Sequence, residues 1–145
     1  MGTVTRSTLV HAGVEEVVKV ATDPSVVFPI MGAFGRFECI DRLPDGSQEW
    51  DLFLDLGTIH AGGRVLVGAP SEHSLVWQSV RGIQHSAHIE VTPAADGATV
   101  TMTISVQFAG RLLAGWATGL LADGILARHI EAGLQQMRHR IEYGR

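Results

Sequence analysis

The sequence predicts an α+β domain in which a curved antiparallel sheet of about seven strands packs against a long C-terminal helix. Six strand-like segments follow one another between residues 34 and 108, and a helical pattern over residues 111–143 closes the chain. Short turns join consecutive strands, and short turns build antiparallel meanders because a parallel pair needs a long crossover. A chain of 145 residues is expected to form one domain, spanning residues 1–145.

The C-terminal pattern over residues 111–143 contains no proline and repeats with the period of a helix. Its large apolar residues recur mostly every three or four positions: Leu113, Trp116, Leu120, Leu126, Ile130, Leu134, Met137 and Ile141. A straight helix of this length would span roughly 50 Å at 1.5 Å per residue. That is long for this domain, so we predict a bend at residues 122–124, where Gly124 weakens the helix and Asp123 can cap a new segment.

The N-terminal part predicts one strand and two short helices. Alternation and β-branched residues predict a strand over residues 3–11. Residues 14–21 place valines on one face and Glu15 and Glu16 in the first turn, as in an amphipathic helix. A second helix is predicted from residue 25 to about residue 30, cut by Pro29.

The remaining strands are bounded by turn signals. They are predicted at residues 34–43, 48–56, 58–68, 74–81, 84–92 and 98–108. Pro44-Asp45-Gly46 and Ala95-Asp96-Gly97 are hairpin signals, and Gly62-Gly63 inside a strand indicates a bulge or a sharp bend. In the last strand apolar residues alternate with threonine and serine, so one face of the sheet is expected to be buried and the other wet.

The order strand, two short helices, six strands and long helix (β-α-α-β6-α) is that of the helix-grip fold. Three sequence segments also match the local pattern of this fold: Ser74-Leu75-Val76-Trp77-Gln78, Ile89-Glu90-Val91-Thr92-Pro93 and Asp96-Gly97-Ala98-Thr99-Val100-Thr101. The chain therefore resembles the Bet v 1-like or START-like (SRPBCC) superfamily, in its bacterial polyketide cyclase/dehydrase and lipid-transport branch. The alternative fold is a cystatin- or NTF2-like cone, but those folds usually place their main helices before the sheet.

The resemblance implies an elongated apolar cavity between the sheet and the last helix, entered near residues 28–32. The predicted ligand-binding residues are apolar and aromatic side chains with two inner polar groups: Phe28, Met31, Phe34, Phe37, Trp77, Arg81, His85, Met102, Trp116 and Leu120. Aromatic residues and methionine line apolar ligand sites well, although they line ordinary cores equally often.

His85 is the candidate catalytic residue. His85 and His88 are three apart, and in a strand such residues face opposite sides, so the two do not converge on a metal ion. By phase His85 shares the apolar, inner face with Ala87 and Ile89, and His60 could meet it across the sheet. No grouping of ligand-type residues has metal spacing, and no cofactor motif is found, so we expect neither a metal nor a cofactor.

Three other polar features can be explained either by a functional role or by a purely structural one. Asp51 and Asp55 lie on one strand face, where carboxylates could perform acid–base chemistry but are more often solvated. Arg81 could bind the acidic group of a ligand or a surface carboxylate. Cys39 has no evident activating base and is expected to be a small buried residue.

Composition excludes several classes of partner. A net charge of −4 disfavours a nucleic-acid role, and a single cysteine without a signal-peptide pattern fits a cytoplasmic protein. Arg111, Asp123 and Arg128 bound the apolar segment too tightly for stable membrane insertion. A monomer or a homodimer is expected.

Three functions fit the sequence. The first is binding of a small hydrophobic molecule such as a lipid, isoprenoid or polyketide, with transport or sequestration as its purpose. The second is an enzyme of the polyketide cyclase, aromatase or dehydratase type, in which His85 moves protons. The third is a partner-binding module without a ligand, acting through the outer face of the sheet or an exposed patch around Trp116.

Overall fold

The protein folds into a curved antiparallel sheet, with two short helices after the first strand and one helix at the C-terminus. A computed structural model describes residues 2–31, 36–55, 60–82, 84–107 and 124–144, and only the backbone of residues 54–55 and 60–61. The elements are β1 (Gly2–Val10), α1 (Val14–Ala21), α2 (Pro24–Met31), β2 (Arg36–Arg42), β3 (Gln48–Asp55), β4 (His60–Val67), β5 (Ser74–Arg81), β6 (His85–Ala94), β7 (Gly97–Val106) and α3 (Ile125–Tyr143).

The seven strands form one sheet in the order β1-β7-β6-β5-β4-β3-β2. Strands β2 to β7 are a meander of consecutive antiparallel neighbours, and β1 joins the free edge of β7. This α+β architecture is the predicted helix-grip fold.

The hairpin turns form where glycine permits the required backbone. At the β2–β3 turn Gly46 has φ 91°, and the Asp45 carboxylate accepts hydrogen bonds from the Ser47 amide and hydroxyl. At the β6–β7 turn Gly97 has φ 153°, and a side chain there would overlap the Val10 carbonyl oxygen. Both predicted turn signals are therefore confirmed.

Helix α2 has the predicted bounds to within one residue, but Pro29 lies inside it and does not cut it as the sequence predicted. Its start is fixed by Asp23, whose carboxylate accepts hydrogen bonds from the backbone and hydroxyl of Ser25. Phe28, Ile30 and Met31 are all buried, and their packing offsets the hydrogen bond that proline removes. Pro29 itself is exposed.

Helix α3 begins at Ile125, directly after a left-handed residue. Gly124 has φ 67° and ψ 17°, a conformation that a right-handed helix cannot contain. The predicted weak point at residues 122–124 is thus confirmed at Gly124, while residues 111–123 of the predicted helix lie outside the described residues. The apolar stripe of α3 faces the core through Leu126, Ile130, Leu134, Met137 and Ile141, all buried.

Each strand divides its side chains between the core and solvent. On β5 Leu75 and Trp77 are buried, whereas Val76 and Val80 are about half exposed. On β7 Val100, Met102 and Val106 are buried. The hydroxyl-bearing residues of β7 lie on the other face, where they form hydrogen bonds with those of β1: Thr3–Ser105, Thr5–Thr103 and Ser7–Thr101. We call the core-facing side the inner face and the other the outer face.

Candidate functional site

An aromatic cluster joins α2 to the inner face of the sheet. The Phe28 ring lies 5.1 Å from the Trp77 ring and 5.2 Å from the Trp50 ring, both edge to face, and 6.1 Å from the Phe37 ring, stacked. Phe28, Trp50 and Trp77 are almost fully buried, and the Trp50 indole N–H donates to Gln48 Oε1 at 2.8 Å. Such ring pairs contribute about 0.5–1.5 kcal/mol beyond area burial, so the cluster fixes α2 on β2, β3 and β5.

The end of α2 is also held by α3. Met31 is buried, and its side chain lies over Gly133, where an added Cβ would overlap the methionine sulfur. The Met31 carbonyl accepts a hydrogen bond from the imidazole of His129. Burial lowers the pKa of His129 below its ordinary value, and this hydrogen bond opposes the shift. Residues 28–31, the described part of the entrance predicted at residues 28–32, are therefore anchored to both the sheet and α3.

Polar contacts fix α3 alongside β1. Arg6 Nε lies 2.8 Å from Glu131 Oε1, and the His11 amide donates to Glu142 Oε2 at 2.8 Å. Five residues of a strand and eleven residues of a helix both cover roughly 17 Å, so the two elements run in step and parallel. With the same rise per residue, Gly2 lies roughly 13 Å before Arg6 along β1. This places Gly2 beside the beginning of α3.

His85 lies on the inner face at this end of the sheet. It pairs with Val106, the last residue of β7, which in turn pairs with Gly2. His85 therefore lies on the inner face at the same end of the sheet as Gly2 and the start of α3. His85 is half-buried, and its amide donates to Ser79 Oγ at 3.0 Å. Ser79 pairs with buried Val65, so it also lies on the inner face.

The predicted separation of the two histidines is confirmed by the register. His88 pairs with Val76 and Thr103, which belong to the outer face, whereas Ala87 and Ile89 on either side of His88 are buried. His85 and His88 thus offer an inner and an outer imidazole on one strand. The side chain of His60, which by its sequence position could meet His85 across the sheet, lies outside the described residues.

Arg81 lies on the outer face, although simple alternation from Trp77 through Ser79 would point it inward. Ser79 pairs with Val65 but Arg81 pairs with Arg64, so Val80 is an extra residue that reverses the phase of β5. Arg81 Nη2 lies 3.8 Å from Asp51 Oδ1, and its side chain is 67% exposed. Of the two readings from sequence, Arg81 thus meets a surface carboxylate. Strand β4 pairs regularly with β3 through Gly62 and Gly63, and the bulge lies instead on the neighbouring strand β5.

Asp51 forms a solvent-side ion pair. Arg64 Nε donates to Asp51 Oδ1 at 2.8 Å and Arg64 Nη2 to Oδ2 at 3.3 Å. The hydrogen bond from Arg64 lowers the pKa of Asp51, and the same bond raises the pKa of Arg64. The solvated reading of Asp51 therefore fits the structure, while the side chain of Asp55 lies outside the described residues.

The other predicted ligand residues are distributed between core and undescribed segments. Met102 is 1% exposed and pairs with Arg6, the residue that binds Glu131 of α3. Phe34, Trp116 and Leu120 lie outside the described residues. Cys39 is half-buried and packs against the core. Within the described ranges, no cluster of three or more His, Cys, Asp and Glu could hold a metal ion.

Sequence reasoning missed Trp50, Ser79 and His129 as members of the site. Trp50 and Ser79 could have been found by phase, since Trp50 alternates with Leu52 and Ser79 with Trp77. His129 has no such signal because its role depends on where α2 ends in space.

Comparison with known proteins identifies the class. The family model described as "Polyketide cyclase / dehydrase and lipid transport" matches residues 1–142, so the chain belongs to that family. The resemblance to the START-like superfamily is thereby confirmed. A search of curated protein sequences found no match.

Solved structures share the fold at low sequence identity. A protein of Thermus thermophilus superposes with a TM-score of 0.80 at 15% identity, covering 97% of both chains. The Zhui aromatase/cyclase of a Streptomyces species gives 0.72 at 13%, covering 99% of this chain and 97% of its own. A START superfamily protein of Mycobacterium smegmatis gives 0.61 at 16%, covering 93% and 98%. At these identities the likeness shows the helix-grip fold alone.

Among the helices that the structure describes, none combines the length and apolar character needed to cross a membrane.

Proposed function

We propose that this protein binds a small hydrophobic molecule, such as a lipid, isoprenoid or polyketide, against the inner face of the sheet. The observation that carries the proposal is the position of His85 and Ser79. They are polar residues on an otherwise largely apolar inner face, and they lie where that face reaches the start of α3. Apolar sites with a few placed polar groups are typical of small-molecule binding. Family membership supports the same reading.

In this proposal the aromatic cluster of Phe28, Phe37, Trp50 and Trp77 bounds the site on the side of α2. Burial of ligand surface supplies most of the affinity, at about 25 cal/mol per Å² before the costs of association. His85 and Ser79 orient the polar end of the ligand by hydrogen bonds. Phe34, Trp116 and Leu120, predicted from sequence to line the cavity, remain part of the proposal.

The test is native mass spectrometry of freshly purified protein, compared with protein that has been denatured, extracted with solvent and refolded. A bound molecule of defined mass is expected only in the first sample. The extract is then titrated back while the fluorescence of the tryptophans, among them Trp50 and Trp77, is followed. His85→Ala is expected to weaken binding, and His88→Ala, on the outer face of the same strand, is the matched control. The proposal would be overturned if both variants weakened binding equally. It would also be overturned if the fresh protein showed only the mass of the bare chain and its tryptophan fluorescence did not respond to the extract.

A second candidate function is cyclisation or dehydration of a polyketide-type substrate, and the inner position of His85 favours it. An imidazole beside an enclosed substrate can accept and return a proton. One structural relative is named as an aromatase/cyclase, which supports this candidate without assigning it. A synthetic poly-β-keto thioester, with products followed by liquid chromatography and mass spectrometry, tests it. Acceleration that is lost in His85→Ala and kept in His88→Ala would establish the enzyme, and no acceleration by the native protein would exclude this reaction.

A further inference from the structure

A concavity lies on the outer face of the sheet, opposite the proposed ligand site. It has a volume of about 710 Å³ and spans β2 to β5. Its lining consists of Arg36, Phe37, Glu38, Asp51, Leu52, Phe53, Gly62, Gly63 and Arg81. The side chains of Phe37 and Leu52 turn to the core, so the outer side chains that shape the concavity are charged residues and Phe53.

Glycine makes the floor of this concavity. Gly62 pairs with Phe53, and a Cβ at Gly62 would lie 3.5 Å from the Phe53 ring. At Gly63 a Cβ would lie 2.5 Å from the Arg81 carbonyl oxygen, so the end of β5 crosses closely over β4. The absence of a side chain at Gly62 leaves open space beside the Phe53 ring, which is 39% exposed although it is large and apolar. Gly63 pairs with Leu52 and so belongs to the inner face.

The bulge at Val80 points Arg81 toward this space. Without the extra residue, Arg81 would share the inner face with Ser79 and Trp77. Arg64 already binds Asp51 through two hydrogen bonds, and Arg81 approaches the same carboxylate only to 3.8 Å. Most of the hydrogen-bonding capacity of the exposed Arg81 guanidinium is therefore open to a further anion.

Arg36 supplies a second guanidinium at the rim. Its central carbon lies 5.6 Å from the centroid of the Phe53 ring, a cation–π contact that holds the charge beside the exposed ring. Within the lining, the guanidinium groups of Arg36 and Arg81 balance the carboxylates of Glu38 and Asp51, and Arg64 binds Asp51 from outside the lining. The concavity therefore combines an exposed aromatic ring with two planar cationic groups, of which Arg81 is only weakly paired.

From this arrangement we propose that the outer concavity is a binding site for a flat apolar molecule that carries an anionic group. The apolar body lies on the glycine floor against Phe53, and the anion binds Arg81, with Arg36 adding attraction from the rim. Guanidinium groups match the geometry of both carboxylate and phosphate oxygens. This site is separate from the inner one, since Phe53 and Arg81 lie on the other side of the sheet from Trp77 and His85.

Titration of ¹⁵N-labelled full-length protein with 2-naphthoate tests the proposal, with amide shifts followed by NMR. The largest shifts are expected at Phe53, Gly62 and Gly63. The neutral analogue 2-naphthalenemethanol is expected to bind at least about tenfold more weakly, and added salt is expected to weaken 2-naphthoate binding. Titration with 2-naphthyl phosphate distinguishes the two anions. Tighter binding of the phosphate assigns a phosphate monoester, and tighter binding of naphthoate assigns a carboxylate.

Variants decide whether the named residues form the site. Arg81→Gln and Arg36→Gln are each expected to weaken 2-naphthoate binding about tenfold, the loss of one charge-assisted contact. Arg42→Gln removes the same charge from β2 outside the concavity and is expected to leave binding within about twofold. Both rim arginines are on the surface, and Arg36→Gln leaves the bulge untouched, so the test does not depend on one variant folding. Unchanged binding in both variants, equal binding of the neutral analogue, or shifts confined to inner residues such as Trp77 and Ile89 would overturn the proposal.

Discussion

The two faces of the sheet place chemically similar residues in opposite environments. His85 faces inward beside Ser79, whereas His88, three residues along β6, lies on the outer face against Val76 and Thr103. On β5 Trp77 is 5% exposed and its neighbour Val76 is 47% exposed. The side-chain period of two therefore decides both which residues pack in the core and which lie on the inner face, where we propose that a ligand binds.

Within the described strands, two inserted residues break this alternation, Ile40 on β2 and Val80 on β5, and the one on β5 redirects a charged side chain. The bulge at Val80 moves Arg81 from the expected inner position to the outer face, beside Asp51. The inner face thus loses a charge that would be costly to bury, and the outer face gains a cationic rim. In the described strands the difference between the faces is consequently set by strand phase except at Ile40 of β2 and Val80 of β5, where an inserted residue shifts the phase.

The largest expected difference between the faces is in stability. Ile89→Ala removes a fully buried side chain from the inner face and is expected to lower the free energy of unfolding by about 2–5 kcal/mol, from lost burial and the cavity left behind. His88→Ala, the adjacent outer residue, is expected to change it by about 0.5 kcal/mol or less. Urea denaturation measures both. Similar losses in the two variants would show that the outer face is packed as tightly as the inner one.

A smaller effect is expected where the phase of β5 is broken. Gly82 has φ 91°, and a Cβ there would lie 2.6 Å from the Gly62 carbonyl oxygen. Gly82→Ala is therefore expected to cost about 1–3 kcal/mol, because it adds backbone strain and a close contact with β4. Gly68→Ala, where the added Cβ meets only the Val76 carbonyl oxygen at 3.6 Å, is the control and is expected to stay within about 0.5 kcal/mol. Thermal unfolding of the two variants checks this, and equal costs would mean that the crossing of β4 and β5 is not strained by a side chain.

The smallest expected effect is a pH dependence from the junction of α2 with α3. Burial lowers the pKa of His129 below its value of 6.5 in the unfolded chain, so the unfolded state binds more protons in this range. Stability should be fully present above pH 6.5 and should decline as the pH falls from there toward the lower folded pKa. In His129→Gln, which retains a donor for the Met31 carbonyl but does not titrate, the melting temperature should fall less over the same range. An identical pH profile in both proteins would remove His129 from this role.

Much of this architecture was predictable because the period of apolar residues along the chain indicates strands and helices directly. The strand over residues 74–81 and the helix over residues 14–21 were predicted with their observed bounds. The inner position of His85 followed from alternation with Ala87 and Ile89 alone. The non-helical conformation of Gly124 directly before Ile125 was predictable from the residue type, since glycine adopts the left-handed conformation without steric cost.

The failures came from effects that no local pattern records. Pro29 was expected to cut α2, but the helix runs through it to Met31, with Phe28, Ile30 and Met31 buried. The partner of Arg81 depends on one inserted residue, whose position is defined only by pairing with β4. The link between His129 and the Met31 carbonyl joins residues far apart in sequence.

The sequence by itself determined the order of the elements, the inner and outer sets of most strands and the family to which the chain belongs. These properties depend on residue period, turn chemistry and composition, all of which act over a few neighbouring residues. The tertiary structure alone decided which face Arg81 occupies, how α2 and α3 meet, and that an exposed ring and two arginines share one concavity. Those features arise from the register between strands and from contacts between distant segments, and only the folded chain brings such segments within reach of one another.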